Sequence, residues 1–227
     1  MPEINAQYNV AAPGSLPVRL AAKMRRRMYS DFLRQMRPLS TDLILDVGAT
    51  SDDSYEASNY LEAWYPHKDC ITALGLDDAS HLETLYPGMK YVQGDGRSLP
   101  FEDNSFDLVH SSAVLEHVGS RARQQGFLIE LMRVARRGVY LTTPNRWFPV
   151  EFHSVLPLVH WLPPSAFRAV LGKLGHDELA REDNLNLLGT KDLRLLCAAL
   201  VPSPTARIET LRLWGWPSNI VCALHLE

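Results

Sequence analysis

Short, nearly unbroken apolar runs alternate along this chain with stretches whose apolar residues recur every three or four positions. The runs are Leu43 to Val47, Ile71 to Leu76, Lys90 to Gln93, Phe106 to His110 and Gly138 to Thr142, each the length of a strand. Between them, helical spacing places Leu20, Met24, Met28, Phe32 and Met36 on one face of a helix over 17–37, which Pro38 ends. A second helix, Tyr55 to Tyr65, carries Ala57, Leu61 and Trp64 on one face and is stopped by Pro66; Ser51, Asp52, Asp53 and Ser54 are all fit to cap it. Further helices are expected to follow Ser80 as far as Tyr86, and over 121–135 and 190–200. Two closing strands, 207–213 and 219–226, are joined by Trp214 to Ser218, short enough for an antiparallel pair.

Continuous rather than alternating apolar strands, interleaved with helices, mean a sheet buried on both faces. The expected fold is α/β, a doubly wound, mostly parallel seven-stranded sheet of Rossmann-like form with an antiparallel C-terminal hairpin. Residues 1–16 read as a flexible lead-in and 17–227 as a single domain. Within it the irregular, aromatic- and proline-rich 147–188 reads as an insertion or lid above the strand ends.

Composition changes this picture little. With 46% hydrophobic and 22% charged residues and a net charge of −3, the chain is an ordinary globular protein whose bulk charge recruits no nucleic acid. Cys70, Cys197 and Cys222 are odd in number and far apart, which favours buried thiols in a reducing cytoplasm over disulfides. No signal pattern opens the chain, and its most apolar part, 148–171, is broken by Glu151, His153, Pro157 and His160. One local charge feature stands out: Lys23, Arg25, Arg26, Arg27, Arg34 and Arg37 share the polar face of the first helix. They form either a peripheral contact to an anionic membrane or a solvated face.

A parallel sheet binds its ligand outside the carboxyl ends of its strands. The residues to collect there are Asp46, Gly48 and Thr50 after the first strand, Asp77 after the second, Asp95 and Gly96 after the third, and Ser111 and Ser112 after the fourth. Asn145, Arg146 and Trp147 follow the fifth. An acid after the second strand suits two ribose hydroxyls, and Asp95 an adenine amino group. Two aspartates and one glycine in the first loop argue against phosphate, and so against a nicotinamide dinucleotide. They suit a cofactor carrying positive charge, such as S-adenosylmethionine. Acids after strands also cap helices and solvate loops, so each residue has a plain structural alternative.

The stretch from Tyr91-Val92-Gln93-Gly94-Asp95-Gly96-Arg97-Ser98-Leu99-Pro100-Phe101 through Ser105-Phe106-Asp107 to Leu115-Glu116-His117 resembles the central block of class I S-adenosylmethionine-dependent methyltransferases, type 11 group. Leu45-Asp46-Val47-Gly48, Gly75-Leu76-Asp77 and Thr143-Pro144-Asn145 resemble that family's flanking motifs. The resemblance implies methyl transfer from S-adenosylmethionine to a small-molecule, glycan or lipid-linked acceptor, with O-methylation favoured. General-base candidates are His117, Glu116, Glu151 and His153; Asn145, Arg146 and Trp147 lie nearest the expected acceptor. His153 and His160 are seven apart without further ligands, so no metal site is expected. The apolar insertion covers the acceptor or serves as core or a homodimer surface. Where the family's first loop adds further glycines, this chain has Ala49-Thr50-Ser51-Asp52-Asp53. That departure keeps a non-catalytic binding or scaffold protein as the alternative.

Overall fold

The computed structural model describes residues 16–53 and 57–226, with side chains from Val18 onward. The N-terminal lead-in and the expected start of the second helix at Ser54-Tyr55 lie outside the described residues.

Among the described residues the sheet has seven strands. They are β1 (Ile44–Val47), β2 (Ile71–Gly75), β3 (Lys90–Gln93), β4 (Phe106–Ser112), β5 (Ala135–Pro144), β6 (Thr205–Leu213) and β7 (Trp216–His225). Their order is β3-β2-β1-β4-β5-β7-β6. The first five are parallel, while β7 runs antiparallel between β5 and β6. This is the doubly wound sheet with a C-terminal hairpin expected from the sequence. Order reverses between β1 and β4, so the crevice outside their carboxyl ends is where a ligand fits.

Side chains alternate across the sheet and split the core in two. Ile44, Leu108 and Tyr140 face a layer holding Met24, Met28, Phe32 and Met36 of α1 (Leu16–Met36) and Leu61 of α2 (Tyr60–Trp64). Their neighbours Leu45, Val109 and Leu141 face Phe127, Leu128 and Leu131 of α4 (Arg121–Val134) and Leu193 and Leu196 of α7 (Thr190–Ala198). The four-residue spacing of the methionines and Phe32 is therefore what docks α1. A short α3 (Leu82–Leu85) precedes β3.

Three expectations need correction. Helix α2 begins at Tyr60, because the loop before it is closed by Asn59, whose side chain accepts from Thr50 N (2.9 Å) and donates to Thr50 O (2.9 Å). The hairpin strands are longer than their apolar runs and meet in a two-residue loop, Trp214 (φ 50°) and Gly215 (φ 85°), the positive angles of a type I′ turn. Cys197 and Cys222 are buried free thiols, whereas Cys70 is only half-buried.

The segment between β5 and α7 contains α5 (Pro164–Lys173) and α6 (Asp177–Ala180) around a small core of Phe167, Leu171, Leu185 and Leu187. Asn186 N donates to Glu116 O (2.7 Å), fastening its far end to the loop after β4. No described helix is long and apolar enough to cross a membrane.

Candidate active site

A cavity of about 600 Å³ opens at the carboxyl ends of β1 to β4 and is bounded by α1 on one side and the 152–153 and 183–184 segments on the other. Its floor depends on glycine. Gly48 sits at φ +109°, and a Cβ there would stand 2.1 Å from Val114 Cγ2; a Cβ on Gly75 would stand 2.3 Å from Ala49 O. The amides of Gly48 and Ala49 both donate to Leu74 O, at 2.8 and 3.0 Å, which ties the first loop down on β2. At Gly96 the core leaves no room for a side chain: a Cβ would meet Val47 and Phe127, at 2.8 and 2.9 Å.

Gly48, Thr50, Asp95 and Gly96 line this cavity together with Asp52 and Ser112. The Asp95 carboxylate is gripped by Arg97, from Nε at 2.9 Å and Nη2 at 2.6 Å to Oδ2 and from the backbone N at 2.9 Å to Oδ1, which holds it below the usual carboxylate range. Asp77 stands just past the lining residues Gly75 and Leu76, its carbonyl accepting from Tyr91 Oη.

Other expected ligand residues lie elsewhere. Ser111 Oγ donates to Val47 O (2.9 Å) and is buried between β1 and β4. Asp46 points to the opposite face, where its carboxylate pairs with His110 Nδ1 and His110 Nε2 meets Tyr60 Oη at 2.8 Å. Burial pushes Asp46 up to about 7, lowers His110 to about 4 and raises the wholly buried Glu62 well above its ordinary value. These groups form a buried polar cluster between β1, β4 and α2.

Asn145, Arg146 and Trp147 also fall outside the cavity. Asn145 Nδ2 donates to Pro217 O (3.1 Å), Arg146 Nη2 donates to Leu162 O (2.7 Å), and the Trp147 ring is half exposed beside Trp161. The cause is β5, which stays paired with β7 through Pro144 and turns the chain away. On that side the wall consists of Thr142, Pro144, Phe152 and Asn219.

The four general-base candidates assemble at one point. His117 follows Glu116 in the 3-10 turn after β4, and its Nδ1 lies 2.7 Å from Asn184 O. A carbonyl can only accept, so Nδ1 carries the proton and Nε2 presents a lone pair. Burial keeps the ring neutral, with a pKa lowered to about 3. His153 packs edge-on against it with ring centroids 4.6 Å apart. Its Nδ1 meets Glu151 Oε1 at 2.6 Å. Burial alone would lower the His153 pKa, but the hydrogen bond and charge of Glu151 outweigh it and raise the value. Glu151, almost wholly buried, also accepts from His153 N (2.9 Å), Ser154 N (2.6 Å) and Ser154 Oγ (2.6 Å). Burial alone would raise its pKa, yet these donors hold it at about 2. Glu116 is fully buried with Oε2 accepting from Thr143 Oγ1 (2.8 Å). His160 is not part of this group; its Nε2 is bound to Phe148 O at 2.7 Å.

Sequence reasoning missed the contribution of α1. Leu20, Met24, Arg25 and Met28 line the cavity, although the spacing of the apolar ones signals only core.

Comparison with known proteins places this geometry. A family model described as a methyltransferase domain, of the type 11 group, matches residues 66–143, about a third of the chain. A methyltransferase of Encephalitozoon cuniculi is 45% identical over 51 residues, 22% of this chain and 24% of that protein. Phthiotriol/phenolphthiotriol dimycocerosates methyltransferase 1 of Mycobacterium ulcerans is 43% identical over 58 residues, 24% of this chain and 19% of that protein. The matched stretches thus span less than a quarter of these curated relatives. Among solved structures, a Pyrococcus horikoshii protein superposes with a TM-score of 0.62 at 13% identity, over 99% of this chain and 97% of its own. Magnesium protoporphyrin IX methyltransferase from Synechocystis, with bound SAH, gives 0.59 at 12% identity, over 97% and 91%. The chain has the class I methyltransferase fold, and its central segment matches the type 11 methyltransferase domain.

Proposed function

We propose that this protein transfers a methyl group from S-adenosylmethionine to an oxygen of a small-molecule, glycan or lipid-linked acceptor held against Phe152 and His153. The observation that carries the reading is the cavity itself. One opening at the switch point of a methyltransferase fold brings the Gly48 loop and Asp95 within the same walls as a histidine backed by a buried carboxylate.

The lining fits such a cofactor. Its volume lies within the roughly 300–1,000 Å³ of ligand pockets. Asp52, Thr50, Asp95 and Ser112 offer acceptors to hydroxyl, amino and ammonium groups. When bound, S-adenosylmethionine supplies a methyl group already activated by its sulfonium. The protein's part is placement and proton handling. Asp77 and Asp95 are assigned to hydroxyl and amino groups of the cofactor, with Gly48, Thr50 and Gly96 shaping its bed. Asp46 and Ser111 support that bed from within the sheet. His153 is assigned as general base: Glu151 fixes the proton on Nδ1, so Nε2 is free to take the acceptor's hydroxyl proton. His117, kept neutral, is a hydrogen-bond acceptor beside it. Met24, Met28 and Phe152 exclude water, and Trp147 belongs to the outer face of the 147–188 lid, with Arg146 just before it.

Part of the basic face of α1 is engaged within the chain. Arg27 and Arg34 are bound to Arg212 O and to Asp31 and Glu209, and Arg26 lies over the Trp64 ring at 4.5 Å. One observation favours the rival reading of a binding protein without transfer: the amides of Gly48 and Ala49 are already spent on Leu74 O. Mass spectrometry of the purified protein for S-adenosylmethionine or its demethylated product, followed by calorimetry with both, tests the proposal. Binding at micromolar concentration is expected; none at millimolar concentration overturns it.

A further inference from the structure

We infer that Glu116, His117 and His153 form a binding site for one divalent transition-metal ion in the wall of the cavity. One carboxylate oxygen and two imidazole nitrogens of these residues lie within 4.8 Å of one another. An ion bound tetrahedrally at roughly 2.0–2.2 Å holds its ligands about 3.4 Å apart, so the three side chains close on it by movements of up to about 1 Å, within reach of a rotation of the side chains.

Three features distinguish this cluster from a chance meeting of polar side chains. First, Glu116 Oε1 is buried without a hydrogen-bond partner, 3.9 Å from His117 Nε2, while Oε2 is held by Thr143. A buried acceptor with nothing to accept is an unmet demand in the fold, and a cation satisfies it. Second, both histidines have their other nitrogen committed. His117 Nδ1 is bound to Asn184 O and His153 Nδ1 to Glu151, so Nε2 is the nitrogen each ring has left to offer an ion. A carbonyl or carboxylate behind each imidazole is the outer-shell pattern that orients metal ligands. Third, the residues come from two distant parts of the chain, the turn after β4 and the loop after β5, and the two imidazole rings meet edge-on at 85°.

The donor set selects the ion. Two nitrogens and one carboxylate suit zinc, iron, cobalt, nickel or manganese better than magnesium or calcium, which prefer oxygen throughout. Three protein ligands leave coordination positions free, and His117 and His153 both line the cavity, so those positions face it. His153 Nε2 cannot hold metal and a proton at once, so the general-base role assigned to it belongs to the metal-free protein. That consequence alone rests on the methyl-transfer reading; ion binding does not.

The full chain, stripped with a chelator, is titrated with zinc chloride by calorimetry and with cobalt(II) by visible absorption, in the absence of any cofactor. One ion per chain is expected, with cobalt bands of low-symmetry coordination. Glu116→Gln and His153→Ala, each shown to be folded by circular dichroism, should weaken zinc binding at least about 100-fold, and Glu151→Gln about 10–100-fold. Absence of stoichiometric binding overturns the site, and so does binding that Glu116→Gln and His153→Ala leave unchanged, which would place the ion elsewhere, for instance at Cys197 and Cys222. Should either variant fail to fold, loss of the imidazole signals of His117 and His153 from the NMR spectrum of the wild-type protein on adding cobalt decides; signals that persist refute the site. S-adenosylmethionine affinity measured on the same stripped protein separates the two ideas, since cofactor binding without metal binding retains the methyltransferase reading and removes only this one.

Discussion

Glu151→Gln tests how the loop after β5 is held. In the fold the Glu151 carboxylate accepts from two donors on each oxygen, His153 N and Nδ1 on one and Ser154 N and Oγ on the other. Glutamine keeps a single acceptor oxygen, so two of those donors lose their partner. A buried carboxylate with a pKa of about 2 in the fold and 4.5 outside it contributes roughly 3 kcal/mol at pH 7. Urea unfolding at pH 7 should show a loss of that order, or a drop in Tm of roughly 6–12 °C for a chain this size. Because the folded pKa is depressed, the contribution is complete above the unfolded value and fades as pH falls toward the folded one. The gap between wild type and variant should therefore shrink to roughly half by pH 3. His153 behaves oppositely. Its folded pKa is raised, so its contribution is present below 6.5 and lost as pH rises through the folded value, which leaves the acidic window to Glu151. A loss below about 1 kcal/mol at pH 7, or one equal at pH 7 and pH 3, refutes the cage as described.

Other expectations follow from the same geometry. Asp77→Ala and Asp95→Ala should each weaken S-adenosylmethionine binding by roughly 10–100-fold in calorimetry, the scale of a hydrogen bond to a charged group; unchanged affinity in both removes the assigned cofactor site. Gly48→Ala forces a side chain into φ +109° and against Val114 Cγ2, so thermal melts should show a destabilised protein. Adding Val114→Ala should relieve the clash but leave about 1–2 kcal/mol of backbone strain, and full recovery would contradict it. His110→Leu strips the partner from Asp46 and Tyr60 on the far side of the sheet. It should cost about 1–3 kcal/mol in urea unfolding while cofactor affinity holds, whereas a lost affinity would restore Asp46 as a ligand.

Much of the fold was legible because its signals are local. Apolar runs of strand length, the four-residue spacing from Met24 to Met36 and prolines at helix ends each act within a few residues, and they yielded the parallel sheet and the docking face of α1. Helix α2 was misread in its extent because its start is governed by the Asn59 clasp on Thr50, a side-chain contact that leaves no periodic trace.

For the site, sequence alone determined the strand ends, and hence Gly48, Thr50, Asp95 and Gly96 as cavity residues, since chain direction fixes which end of a parallel strand faces the crevice. Only the tertiary structure decided which way each side chain points and what lies across from it. Asp46 and Gly48 are two residues apart, yet one carboxylate turns into a buried cluster with His110 while the other residue forms the cavity floor. Glu116, His117, Glu151 and His153 were separate candidates along the chain. They became one constellation because the loop after β5 folds back over the turn after β4, a contact whose partners are more than 30 residues apart. Such a meeting depends on register across the whole sheet, and no local pattern of residues encodes it.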